Sequence, residues 1–97
     1  MDLIFEWDRR KALSNAAKHG VTFTEAATAF ADPLSVTVSD PRHSGSETRL
    51  AVFGQSDRGR FVAVMYTERW NAIRIISARL MTPRERRAYE TGGGHDG

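Results

Sequence analysis

Cysteine is absent from this chain of 97 residues, which removes any disulfide framework or thiolate metal site and suits a protein kept in a reducing compartment. No long apolar run is present. The start, MDLIFEWDRRK, passes from acidic to basic around a few apolar residues, so neither a signal peptide nor a membrane span is expected. Also missing are a P-loop, a G-x-G-x-x-G and a G-x-S-x-G nucleophile elbow. Its histidines, His19, His43 and His95, have neither ligand spacing nor cysteine company, so no metal and no other cofactor is expected. These absences predict a soluble, cytoplasmic protein with one domain over residues 1–90 and a disordered tail over 91–97.

Lysine is scarce. Of 14 cationic residues only Lys11 and Lys18 are lysines and the rest are arginines, whose planar fork binds phosphate bidentately. Formal net charge is only +2, but it is unevenly spread. Residues 1–40 carry 4 basic and 6 acidic side chains (−2), and residues 41–97 carry 10 and 6 (+4). A basic second half fits nucleic acid or an acidic protein partner equally well.

Apolar spacing gives the elements. Residues 3–7 read as an edge strand, and Asp8 is an N-cap for a helix over 9–19 whose apolar stripe is Ala12, Leu13, Ala16 and Ala17. Gly20 sits where a left-handed C-cap is wanted. Thr22 and Glu25 spell a capping box for a second helix, with Phe23, Ala26, Ala27 and Phe30 on one face, ended by Asp32-Pro33. The period then changes from 3.6 to 2. Strands are predicted over 34–38, 48–54, 60–68 and 73–79, the third apolar on both faces and therefore central. Thr82-Pro83-Arg84-Glu85 opens a short last helix. The order β-α-α-β-β-β-β-α predicts an α+β fold: an antiparallel sheet with the helices gathered on one face, leaving the other for water, a ligand or another chain.

The segment SDPRHSGSETR over 39–49 is a loop by composition, yet it holds Arg42, His43, Glu47 and Arg49. Cleaving RNA without metal requires a base for the 2′-hydroxyl, an acid for the leaving oxygen and cations for the charge building on phosphorus. His43 and Glu47 could supply the first two. Arg49, Arg69, Arg74 and Arg79, with Lys18, could supply the third. Within a regular strand Arg74 and Arg79 point to opposite faces, so both serve one site only if a bulge intervenes or Arg79 lies past the strand end; Arg79 is the better candidate. Trp7 and Trp70 could stack on bases, although tryptophans near element ends more often finish a core or an interface. Taken singly, each of these residues has a bland structural alternative, and the residues alone favour a non-catalytic module that binds nucleic acid or an acidic partner.

The ordered set FEWD (5–8), KALSNAAKHGVTFTEAA (11–27), DP (32–33), HSGSETR (43–49), TERWNAIRIISAR (67–79) and RERRAYE (84–90) resembles the BrnT toxins of type II toxin-antitoxin systems. The resemblance covers nearly the whole chain short of the tail. It implies a RelE-like fold, metal-independent ribonuclease activity that arrests translation, and neutralisation by a BrnA-type antitoxin in a complex with two toxins. Carried over by position, Lys18 stands in the family's KHG, His43, Glu47 and Arg49 in its HS-x-x-E-x-R, Arg69, Arg74 and Arg79 in its T-x-R and RIISAR segments, and Tyr89 in its final R-x-Y.

Overall fold

In the computed structural model, residues 3–39 and 48–92 are described. The chain runs through β1 (Ile4–Glu6), α1 (Arg9–His19), α2 (Phe23–Thr28), a 3₁₀ turn (Ala29–Ala31), β2 (Val36–Ser39), β3 (Arg49–Gln55), β4 (Phe61–Arg69), β5 (Ala72–Leu80) and α3 (Pro83–Glu90). Helix starts follow the caps. Asp8 accepts from Lys11 N–H, Thr22 from Glu25 N–H, and Thr82 with Glu85 closes a full capping box behind Pro83. Gly20 ends α1 at φ 71° and donates its N–H to Ala16 O. No helix among the described residues is long and apolar enough to cross a membrane.

The strands form one sheet in the order β1-β5-β4-β3-β2. Strands β2 to β5 are the expected antiparallel meander, with β4 at the centre. The expectation of an antiparallel sheet fails at β1, which pairs parallel to β5 with Ile4 opposite Ala72 and Glu6 opposite Arg74, so the sheet is mixed. Three residues carry no orientation signal in their composition.

A second correction concerns the helices, which lie on both faces. Strand period 2 sends Val52, Val62, Val64, Tyr66 and Ile75 to one face, and a register shift in β5 brings Ala78 to it as well, where they are buried with Val21, Phe23, Ala26 and Ala29 from the N-terminal helices. Aromatic contacts run through this layer, Phe5 to Phe30 at 5.1 Å and Phe30 to Tyr66 at 5.0 Å. Fully burying each of the larger side chains contributes roughly 1.5–3 kcal/mol. Gly54 is required here, because a Cβ would stand 2.7 Å from Ala29 O of the 3₁₀ turn. The opposite face buries Ala51, Phe53, Ala63 and Met65, and α3 covers part of it through Ala88 and Tyr89. The tail reading reaches only Thr91 and Gly92 among described residues. They close α3, with Gly92 at φ 74° donating its N–H to Tyr89 O.

Candidate functional site

Pairing partners in neighbouring strands share a face, which makes the register a map of the site. Arg49 of β3 pairs with Thr67 of β4, Thr67 with Arg74 of β5, and Arg74 with Glu6 of β1, so these four form one rung on the face that α3 partly covers. Arg69, paired with Ala72, lies on the next rung of that face. Further down, Arg79 pairs with Ala63, four residues from Thr67 and again on the same face. Arg74 and Arg79 would diverge in a regular strand. The register shifts between Met65 and Tyr66, which pair with Ser77 and Ile75, so Ile76 is an extra residue on β5 and the parity resets. A single bulge aligns all four arginines.

They are not held alike. Arg79 Nη1 and Nη2 donate to both carboxylate oxygens of Glu85 on α3, at 2.7 and 2.9 Å. Burial is the largest influence on the Glu85 carboxyl and pushes it up, but Arg79 and the Thr82 N–H more than offset this and hold it below the usual carboxylate range. Arg74 has one contact of 3.3 Å to Glu6, between partly exposed side chains. A single long pair of this kind contributes under about 1 kcal/mol, far less than a fork-on-fork pair shielded by a helix. Arg74 is therefore available to an incoming anion in a way that Arg79 is not.

The remaining expected residues separate. Tyr89 is on the arginine face but serves α3: its hydroxyl donates to Asp32 Oδ2 at 2.7 Å and its ring meets Phe61 edge-on at 5.6 Å. That hydrogen bond, with burial adding to it, pushes the Tyr89 hydroxyl above its ordinary value. Trp7 is half-buried on the other face, edge-on to Phe23 at 5.9 Å, and finishes the core there. Lys18 is exposed in the last turn of α1, which is fixed over Ala78 by Asn15; that places it over the face opposite the arginines. Gly20 O, two residues after Lys18, receives Arg60 Nη2 just before β4, nine residues and about 30 Å along that strand from Arg69. The Lys18 charge favours the helix C-terminus. Trp70 stands at the tip of the β4–β5 hairpin, wholly exposed and at φ 55°, beside Arg69. His43 and Glu47 lie outside the described residues. The strand ends flanking their segment, Ser39 paired with Leu50 and Arg49 paired with Thr67, are at the same end of the sheet as Trp70.

Sequence reasoning missed two features. Glu25 was expected to complete a capping box. Its side chain instead turns inward, 4 % exposed, and accepts from Arg60 Nε at 2.9 Å, from Arg60 Nη2 and from Ser56 Oγ at 2.7 Å. The Arg60 hydrogen bond is the main cause of its lowered carboxyl pKa, against the upward push of burial. This network ties α2 to the β3–β4 turn and has no visible local signature. The other is Thr67, a polar residue inside an apolar central strand, which was itself the available signal. Among the described residues no group of three or more histidine, cysteine or acidic side chains is placed to hold a metal ion.

Comparison with known proteins bears on the family and the fold. Residues 7–85 match the family described as the ribonuclease toxin BrnT of type II toxin-antitoxin systems. The fold is similar to the crystal structure of the Brucella abortus ribonuclease toxin BrnT, with a TM-score of 0.61 and 23 % identity, covering 84 % of this chain and 99 % of that one. No curated protein sequence matches the chain.

Proposed function

The chain belongs to the BrnT family of type II toxins, and from that premise we propose that it is a metal-independent endoribonuclease acting on a RelE-like scaffold to arrest translation. One observation carries the reading: the strand register sets Arg49, Arg69 and Arg74 on one end of one sheet face, the end at which Ser39 of β2 and Arg49 of β3 flank the part of the sequence that holds His43 and Glu47. Arginine forks at this density suit a phosphodiester whose charge rises in the transition state. In the proposed reaction the substrate's own 2′-hydroxyl attacks phosphorus as it loses its proton to a base, and the 5′-oxygen leaves with a proton from an acid. His43 and Glu47 are the candidates for these two roles. Arg49, Arg69 and Arg74 bind and stabilise the phosphoryl oxygens, and Trp70 is a stacking surface for an adjacent base. Arg79 supports the site by fastening α3 through Glu85.

The same surface implies its own control. Arginines beside an exposed tryptophan fit a partner bringing carboxylates and apolar anchors, which is the chemistry expected of a BrnA-type antitoxin; a complex containing two toxins would follow from an antitoxin dimer. The decisive experiment incubates purified protein with RNA in EDTA and analyses the new ends. Cleavage leaving a 2′,3′-cyclic phosphate or 3′-phosphate is expected. Activity that disappears in EDTA and returns with magnesium would refute the mechanism. Tight RNA binding without cleavage would mean a non-catalytic basic module.

A further inference from the structure

Thr67 is anomalous in its surroundings. It is 1 % exposed in the central strand, and its Oγ1 is buried with no hydrogen-bond partner among the described residues. Buried hydroxyls are normally satisfied, and valine has nearly the same shape without the cost of desolvating a polar atom. The hydroxyl is also central. Arg49 and Arg74 flank Thr67 on its own rung, each one strand spacing of about 4.8 Å away. Both guanidinium groups can therefore converge on an anion seated above it, and Arg74 would give up only its long contact to Glu6.

We propose that Thr67 is a phosphate-binding residue, its Oγ1 donating to a non-bridging oxygen of an RNA phosphate clasped between Arg49 and Arg74. The inference rests on the ribonuclease reading for the identity of the ligand. The hydroxyl has no partner in the described free protein because its partner is the substrate. Thr67 carries no charge and takes no part in proton transfer; it fixes the height and rotation of the phosphate relative to the two arginines.

Thr67→Val and Thr67→Ser in the full chain test this. Stability to denaturant, affinity for a 2′-O-methyl RNA oligonucleotide that cannot be cleaved, and cleavage of the matching RNA are measured for each. Thr67→Val should be at least as stable as wild type and bind the uncleavable probe about tenfold more weakly, the loss of one charge-assisted hydrogen bond. Cleavage should fall at least as much, and Thr67→Ser should recover both. Wild-type affinity in Thr67→Val overturns the inference, as does a Thr67→Val protein that unfolds more readily than wild type, since the hydroxyl would then serve the fold. If wild type binds the probe through Thr67 yet cleaves no RNA, the phosphate site stands and the ribonuclease reading falls.

Discussion

Arginines at the two ends of the sheet are chemically identical and are used differently. Near the start of β4, Arg60 is fixed by Glu25 and Gly20 O, and at the end of β5 Arg79 is fixed by both oxygens of Glu85. At the hairpin end, Arg74 has a single long contact to a partly exposed carboxylate. A guanidinium that already satisfies a carboxylate in a shielded place must break that pair before it can bind phosphate. One held by a single long contact to a less buried carboxylate has much less to lose. The difference separates arginines that build the fold from arginines left for a ligand, and three kinds of variant can break or sharpen the division.

The largest effect is expected on activity. Arg74→Ala should cut RNA cleavage roughly 100- to 1,000-fold, the usual consequence of removing one aligned donor of charge stabilisation, with its unfolding transition close to wild type. Arg79→Ala should behave in the reverse manner, losing about 2 kcal/mol of stability as Glu85 is stranded under α3, and losing activity only as far as α3 loosens. Equal loss of activity at unchanged stability in both variants would abolish the distinction between the two ends.

Next in size is the buried carboxylate. Glu25→Ala should destabilise the fold by about 3 kcal/mol, because it leaves Ser56 and the Arg60 fork without their acceptor. Glu25, Asp32 and Glu85 all have folded-state carboxyls below the ordinary range. For Asp32, burial is the largest influence and pushes upward, but the N–H groups of Gln55 and Leu34 and the Tyr89 hydroxyl outweigh it. Groups lowered on folding contribute stability that is complete above their unfolded values and is lost as pH falls through the folded ones. Denaturation midpoints followed by circular dichroism should therefore be flat near neutrality and fall on acidification below the carboxylate range. Glu25→Gln should fall less steeply, and a profile as steep as wild type would remove Glu25 from this role.

The smallest effect has an unusual sign. Trp70 holds a positive φ at a hairpin position where glycine is favoured, and it is fully exposed. Trp70→Gly should raise stability by roughly 0.5–1 kcal/mol through relief of the left-handed backbone, while weakening RNA binding by removing a stacking surface. A variant that is more stable and binds RNA as well as wild type would show the tryptophan to be indifferent to RNA.

Local chemistry alone determined much of this protein. Asp8, Gly20, Thr22 and the Thr82–Glu85 box mark helix ends because each satisfies backbone groups within a few residues of itself. Alternation of apolar and polar residues is likewise local, so the meander from β2 to β5 and the centrality of β4 were legible. The arginine-rich second half and the ordered motifs of the family were legible too. Tertiary structure decided the rest, in each case because the partner is distant in sequence. The direction of β1 depends on β5, some seventy residues later. Glu25 left its capping box for Arg60, 35 residues away. The common face of Arg74 and Arg79 depends on one extra residue at Ile76, and period-2 arithmetic cannot see a bulge because the bulge is defined by its neighbour's register. Composition supplied the arginines; pairing across the sheet decided that Arg79 is tied to α3 and that Arg74 stands beside Thr67 with one long contact.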